Sequence, residues 1–154
     1  MNIQVSRGIG EGPTPLAAFD AALRAAGVGD YNLLVLSSVI PPGSKIVVGR
    51  HEPRADEYGN LLYVVMARAE AAVSGASAWA GLGWAQGEDG CGLFVEEHGN
   101  SEHEVRAAIR ATLGAMIEAR GAAFGPINEE ISGAVCCDAP ACAVVTAVFC
   151  SAPW

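Results

Sequence analysis

Lysine and arginine are scarce in this sequence. Nine basic residues stand against seventeen aspartates and glutamates, which gives a net charge of −8. Binding to nucleic acid or to an anionic membrane requires clustered cations that neutralise phosphate groups, so neither partner is expected. Aromatic residues, at 6% of the chain, are also too few for a base-stacking platform. A solvated acidic surface accounts for this charge, and its field favours a cationic small molecule as ligand.

The single lysine, Lys45, follows the rigid turn at residues 41–43. Pyridoxal phosphate enzymes hold their cofactor as a Schiff base on a lysine, and a lysine beside such a turn is poorly placed for that role. If this chain carries out chemistry on amines, we therefore expect its reactive carbonyl group to come from another source.

The sequence also lacks long hydrophobic segments and cysteines at the spacing of a metal or disulfide motif. No run of eighteen or more strongly apolar residues is present, which argues against a transmembrane helix. The N-terminus lacks the basic start and apolar stretch of a secretory signal peptide. The five cysteines are odd in number and include no Cys-x-x-Cys pair, so neither a disulfide framework nor a metal site is predicted. We therefore expect a cytoplasmic protein.

The length and the hydrophobic fraction, 51%, predict a single domain over residues 1–154 with a buried core. Thr14 and Ser101 stand as N-caps before two helical patterns, which end at Gly27 and Gly121. Apolar alternation and compact apolar runs predict strands near residues 2–6, 31–37, 45–48, 61–72, 76–86, 92–98, 130–137 and 142–150. The predicted fold class is α+β, with mainly antiparallel sheet and two principal helices.

Two weaker signals favour ordinary structural roles. The glycines at residues 8–12 precede a helix but lack the lysine and the spacing of a phosphate-binding loop, so a backbone turn that leads into the helix is the favoured interpretation. The histidines His51, His98 and His103 lack metal-site spacing and lie in polar segments, so all three are expected to face solvent.

Two adjacent serines, Ser37 and Ser38, end a predicted buried strand and lead into the turn at residues 41–43. Serines commonly end strands because their hydroxyl groups satisfy nearby backbone groups. A serine held in a strained turn can instead attack the carbonyl carbon of the preceding residue and exchange the amide for an ester. Elimination from that ester cleaves the chain and leaves dehydroalanine, which hydrolyses to a pyruvoyl group.

Several motifs occur in an order and spacing that is specific as a combination. They are the segments GEGPTPLAAFDAAL at residues 10–23, AGVG at 26–29, YNL at 31–33, SSVIPP at 37–42 and CGLFVE at 91–96. In these segments the chain resembles the pyruvoyl-dependent arginine decarboxylases. The resemblance implies a four-layer αββα sandwich and a trimeric or higher assembly of self-cleaved protomers, with active sites between neighbouring protomers.

The resemblance also implies the chemistry. Cleavage between Ser37 and Ser38 gives a chain of residues 1–37 and a chain of residues 38–154 that begins with a pyruvoyl group made from Ser38. This covalent group is the expected cofactor. Its ketone forms a Schiff base with the α-amine of L-arginine, and the adjacent carbonyl accepts electrons as CO₂ leaves, which yields agmatine.

By the same resemblance, Glu96 is expected to donate a proton to the intermediate that remains after CO₂ leaves, a role for a carboxyl group that is protonated near neutral pH. Glu97 stays open as an alternative, because adjacent strand residues face opposite sides and a shift of one residue exchanges them. Asn32 matches an asparagine that assists processing and catalysis near the serine turn.

Substrate binding falls by resemblance on Asp20, Gly29 and Tyr31, with the Asp20 carboxylate as the partner of a guanidinium group. Two alternatives stay open, namely the same chemistry on another amino acid and a non-catalytic trimeric binding module of the same fold. An aspartate substrate would need a cation in the side-chain pocket, whereas Asp20 and the net charge of −8 favour a cationic substrate. The intact serine pair and its predicted partners argue against a module without chemistry.

Overall fold

In the computed structural model, residues 1–121 and 123–154 are described, and they form nine strands and two α-helices. The elements in chain order are β1 (Asn2–Glu11), α1 (Pro15–Ala26), β2 (Asn32–Val35), β3 (Val39–Ile40), β4 (Lys45–Val48), β5 (Leu61–Ala71), β6 (Ser77–Gln86), β7 (Gly92–Gly99), α2 (Glu102–Arg120), β8 (Asn128–Val135) and β9 (Ala141–Ala152). The predicted strands agree with these bounds within a few residues, except that β1 continues to Glu11 and β3 was not predicted.

Helix α1 begins and ends at the predicted cap residues. The Thr14 hydroxyl accepts a hydrogen bond from the backbone N–H of Ala17 at 3.2 Å, and Pro15 occupies the first helical position, where no N–H is needed. Gly27 ends the helix in the left-handed conformation at φ 86°, which glycine adopts without a steric cost.

Helix α2 also begins and ends at its predicted cap residues. The Ser101 hydroxyl accepts from the backbone N–H of Glu104 at 3.2 Å. The Glu104 carboxylate in turn accepts from the N–H of Asn100 at 2.8 Å, one residue before the N-cap Ser101. Gly121 ends the helix with a positive φ of 59°.

The strands form two sheets. A five-stranded sheet has the order β2-β5-β9-β1-β4, and a four-stranded sheet has the order β3-β7-β6-β8. The pairs β1–β4 and β2–β5 are parallel, and the remaining pairs are antiparallel. This topology confirms the α+β class with mainly antiparallel sheets. Strands β2 and β3 are consecutive in the chain and are edge strands of different sheets, so the chain crosses from one sheet to the other between them.

Three apolar clusters separate four layers. One lies between the sheets and includes Val65 and Phe94. A second joins α1 to the outer face of the five-stranded sheet through the helix residues Ala18, Ala22 and Ala26. A third joins α2 to the outer face of the four-stranded sheet through the helix residues Val105, Ile109 and Leu113. The order helix, sheet, sheet, helix confirms the predicted αββα sandwich.

The glycine cluster at residues 8–12 lies largely in β1, so the predicted backbone turn was wrong. A Cβ atom on Gly8 would lie 2.1 Å from the carbonyl oxygen of Ala22, and one on Gly10 would lie 2.2 Å from the Ala22 nitrogen. Because these glycines carry no side chain, the backbones of α1 and β1 come into direct contact.

All five cysteines are free thiols. Within residues 1–121 and 123–154, neither helix is long and apolar enough to cross a membrane. The same residues contain no cluster of three or more histidine, cysteine or acidic side chains that could hold a metal ion.

Candidate active site

The serine pair lies where the chain passes from β2 to β3. Before the pair, the N–H of Leu36 donates to the carbonyl of Val64 in the five-stranded sheet at 2.8 Å. After it, the carbonyl of Ser38 accepts from the N–H of Phe94 in the four-stranded sheet at 2.8 Å. The Ser37–Ser38 peptide bond is therefore held between two anchors that belong to different layers.

Ser38 has an unusual backbone conformation. Its φ of 30° makes it the one non-glycine residue with a positive φ in the described part of the chain. A side chain at such an angle costs about 1–2 kcal/mol, because Cβ crowds the backbone, and such strain persists only where surrounding contacts enforce it. The strain is located at the residue whose peptide bond the sequence predicts to break.

The Ser38 side chain points to Glu96 on β7. Its hydroxyl donates to Glu96 Oε1 at 2.5 Å, and both side chains are partly buried. Phe94, two residues earlier on β7, faces the space between the sheets, and alternate residues of a strand share a face. A carboxylate at this distance can accept the hydroxyl proton and make the oxygen a better nucleophile.

Glu97 points the opposite way. Its Oε1 accepts a hydrogen bond from the Thr112 hydroxyl on α2 at 2.6 Å. The register of β7 therefore directs Glu97 to the outer helix and Glu96 to the serine turn. The structure places Glu96, and not Glu97, beside Ser38.

Asn32 makes no hydrogen bond to Ser38 within one chain. It begins β2, and its side-chain amide donates to the carbonyl of Gly59 at 2.6 Å. Its own N–H donates to the carbonyl of Asn60 at 2.8 Å. The side chains of Asn32 and Ser38 therefore have different partners in the fold.

Asp20 and Gly29 share a partner that the sequence analysis missed. The Asp20 carboxylate forms an ion pair with the Arg24 guanidinium, one helical turn later, at 3.0 Å. A Cβ atom on Gly29 would lie 2.4 Å from Arg24 Cγ, so the bare glycine provides room for the arginine stem. The spacing of four residues between Asp20 and Arg24 was the available signal.

Tyr31 belongs to a cluster built around Glu57, which the sequence analysis also missed. The Tyr31 hydroxyl and the Ser151 hydroxyl each donate to a Glu57 oxygen at 2.6 Å. Burial and the bond to Glu57 raise the pKa of Tyr31 to about 12. The bonds from Ser151 and Tyr31 lower the pKa of Glu57 below its ordinary value.

One histidine also belongs to this cluster, contrary to its predicted exposure. The His51 ring packs edge-on against Tyr31 with 5.8 Å between ring centroids, and its Nε2 atom is buried without a hydrogen-bond partner. Burial lowers the pKa of His51. His98 and His103 are exposed, as predicted.

The predicted site residues therefore form two groups. Ser37, Ser38 and Glu96 lie at the crossing between the sheets. Asp20 lies on α1 and pairs with Arg24, and Gly29, Tyr31 and Asn32 lie in the segment that leads from α1 into β2. No hydrogen bond or ion pair of the described residues joins the two groups.

Comparison with known proteins gives a consistent result. A family model described as pyruvoyl-dependent arginine decarboxylase (PvlArgDC) matches residues 2–152. A relative of that name from Halobacterium salinarum is 44% identical over 94 residues, which cover 61% of this chain and 58% of the relative. Pyruvoyl-dependent arginine decarboxylase 2 from Archaeoglobus fulgidus is 34% identical over 98 residues, 63% of this chain and 62% of the relative.

A longer alignment joins the chain to the pyruvoyl-dependent arginine decarboxylase of Methanocaldococcus jannaschii. It is 34% identical over 128 residues and covers 77% of this chain and 72% of that relative. For the Halobacterium and Archaeoglobus proteins, the matched region spans less than two thirds of the relative.

Proposed function

Because the chain belongs to the pyruvoyl-dependent arginine decarboxylase family, we propose that it cleaves itself at Ser38 and decarboxylates L-arginine to agmatine. The observation that carries this proposal is the hydrogen bond from the Ser38 hydroxyl to the Glu96 carboxylate at 2.5 Å, on a serine with strained backbone. These two features supply a base and a destabilised peptide bond at one position.

The cleavage follows from these contacts. Glu96 accepts the hydroxyl proton while Ser38 Oγ bonds to the carbonyl carbon of Ser37. The C–N bond then breaks, the nitrogen of Ser38 takes up a proton, and an ester joins the two residues. Loss of the α-proton of Ser38 to a base and cleavage of its Cβ–O bond release the carboxylate of Ser37 and leave dehydroalanine at position 38. The dehydroalanine tautomerises to an imine, water adds to the imine carbon, and the nitrogen leaves as ammonia, so that a pyruvoyl group remains.

The residues around Ser38 fit such a group. Ser38 directly precedes β3, and the bond between its carbonyl and the N–H of Phe94 does not involve the atoms that change, so the new N-terminus stays attached to β7. The pyruvoyl group supplies a ketone that takes up the substrate amine and a carbonyl that accepts the electrons left by CO₂. The Glu96 carboxyl group lies beside Ser38, whose hydroxyl donates to it. It is therefore placed to return a proton to the substrate carbon.

The substrate's side chain requires the second group of residues. We place Asp20 opposite the guanidinium group of arginine, because a carboxylate accepts its parallel N–H groups. Because no hydrogen bond or ion pair of the described residues joins Asp20 to Ser38, we place the complete site between copies, with Ser38 and Glu96 from one copy and Asp20 with its neighbours from another. A homotrimer, alone or within a higher assembly, provides this arrangement.

Exposed apolar residues support contact between copies beside Ser38. Val35 and Val39 flank the serine pair on the edge strands β2 and β3 and are 63% and 60% exposed. Unpaired strand edges with apolar side chains are surfaces that proteins normally cover.

A cytoplasmic location, which the cysteine pattern favours, remains a prediction.

The mass of the denatured protein tests this proposal. We expect two species that correspond to residues 1–37 and 38–154, with the larger one lacking a free amino group and lighter by one ammonia than a chain that begins with an unmodified Ser38. The cleaved protein should release CO₂ from the carboxyl group of L-arginine and not from L-aspartate. An intact chain after prolonged incubation would instead support the non-catalytic module, and CO₂ release from a different amino acid would support the other alternative.

A further inference from the structure

Arg24 occupies the position at which the proposed function requires the substrate's guanidinium group. Its Nε atom lies 3.0 Å from Asp20 Oδ2, one turn earlier on α1. Asp20, one of the three residues expected to bind substrate, is therefore already paired with a guanidinium group of the protein itself.

Gly29 contributes to the same arrangement. A Cβ atom at this position would lie 2.4 Å from Arg24 Cγ and 3.0 Å from the Arg24 nitrogen. Because Gly29 has no side chain, the aliphatic stem of Arg24 can lie across its backbone, and the guanidinium group extends back to Asp20. Two of the three predicted substrate-binding residues are thus in contact with one arginine side chain.

We propose that Arg24 acts as an internal competitor for Asp20 and thereby determines the affinity for guanidinium substrates. This inference rests on the proposed function, in which Asp20 receives the substrate's guanidinium group. A carboxylate forms its full two-bond contact with only one guanidinium group at a time. The substrate can therefore form this two-bond contact only after Arg24 Nε leaves Asp20 Oδ2.

The exposure of the pair makes this displacement feasible. The side chains of Asp20 and Arg24 are 56% and 63% exposed, and ion pairs in such positions are weak and screened by salt. Removal of Arg24 should therefore strengthen the binding of guanidinium ligands by about two- to fivefold. Arg24 lies on the helix and not at Ser38, so the chemical step should not change.

The direct test uses agmatine as a probe, because it carries the guanidinium group without the reacting carboxylate. Its affinity is measured by calorimetry on the wild-type protein and on Arg24→Ala, Arg24→Lys and Arg106→Ala. Arg106 forms an ion pair with Glu102 at the same spacing on α2, which makes it a matched control. We expect tighter binding only for Arg24→Ala, since Arg24→Lys retains a cation beside Asp20.

Kinetics with two substrates test the same point during turnover. For L-arginine, Arg24→Ala should lower KM by the same factor and leave kcat unchanged. L-citrulline, which has a neutral ureido group in place of the guanidinium group, serves as a competitive ligand whose inhibition constant should not change. In an Asp20→Asn background, Arg24→Ala should no longer improve agmatine binding.

Unchanged or weaker agmatine binding in Arg24→Ala would overturn the inference, and so would an improvement that persists in the Asp20→Asn background. Calorimetry on the uncleaved Ser38→Ala protein, with and without Arg24→Ala, keeps this test independent of the pyruvoyl group. Failure of the proposed function appears separately, as an intact chain or as absence of CO₂ release.

Discussion

The hydroxyl of Ser38, where the chain enters the four-stranded sheet, donates to the carboxylate of Glu96 on the neighbouring strand β7 at 2.5 Å. The two residues are far apart in the chain, and each is fixed by a different strand. This contact joins the serine predicted to be cleaved to the acid predicted to donate a proton, and it leads to the first of four predictions.

Glu96→Gln should slow self-cleavage by about a hundredfold or more, because loss of a positioned general base typically has this effect. Glu97→Gln is the matched control on the next residue, where the side chain contacts Thr112 and not Ser38. Its cleavage rate should stay within a few fold of the wild type. Cell-free synthesis followed by denaturing electrophoresis at timed intervals measures both rates. Equal slowing in the two variants would show that Glu96 is not the general base of self-cleavage.

Replacement of Ser38 by glycine should give a more stable uncleaved protein than replacement by alanine, by about 1 kcal/mol. Glycine relieves the strain at φ 30°, and this gain exceeds the entropy that glycine adds to the unfolded chain. At Ser37, whose φ is not positive, the order should be reversed, with alanine the more stable. Urea unfolding of the four proteins, with Ser38→Ala as background at position 37, decides between these orders.

Gly10→Ala should destabilise the fold by about 3 kcal/mol or more, because the added Cβ meets the α1 backbone, which cannot move without repacking the helix. Gly114→Ala provides the opposite control, since a Cβ there meets no atom within 4 Å. It should stabilise α2 by about 1 kcal/mol through helix propensity. Urea unfolding of uncleaved protein measures both changes, and a neutral Gly10→Ala would contradict the close contact between β1 and α1.

The contribution of Glu57 should depend on pH. Hydrogen bonds from Ser151 and Tyr31 lower its pKa in the folded state below the ordinary value of 4.5. A carboxyl group with a lowered folded pKa stabilises the fold above its unfolded pKa, and this stabilisation is lost as pH falls through the folded pKa. The stability difference between the wild-type residue and Glu57→Gln, measured in the uncleaved Ser38→Ala protein, should therefore be largest near pH 7 and shrink below about pH 4.5.

Glu118→Gln, a change to an exposed residue on α2, is the control for that titration. It makes the same change of charge away from Tyr31 and Ser151, so it shows how much of the pH dependence does not come from the cluster around Glu57. If the stability difference between the wild-type residue and Glu57→Gln stays constant from pH 7 to pH 3, the bonds from Ser151 and Tyr31 do not stabilise the charged form of Glu57.

The helices were predictable because their ends are encoded locally. Thr14 and Gly27 define α1 through contacts within a few residues, and no distant part of the chain is needed. Strand β3 was missed for the opposite reason. Its two residues, Val39 and Ile40, form a strand only because they pair with β7, more than fifty positions later, and a two-residue segment has no periodicity of its own.

The same distinction applies to the site. The serine pair and Glu96 were found through motifs, and their contact depends on the register of β7, which the sequence left open between Glu96 and Glu97. Glu57 lies in a polar segment without strand or helix signals, so its bonds to Tyr31 and Ser151 arise only from the folded arrangement. Its role was therefore not visible in the sequence.

The position of β1 has a consequence for how the protein refolds after cleavage. This strand pairs on one side with β9 and on the other with β4, and it belongs to residues 1–37, which the proposed cleavage separates from the rest. Folding before cleavage involves one chain and is independent of concentration. After cleavage, recovery from denaturation requires two chains to meet, so it slows on dilution. The mature protein thus depends on a single folding event that precedes its activation.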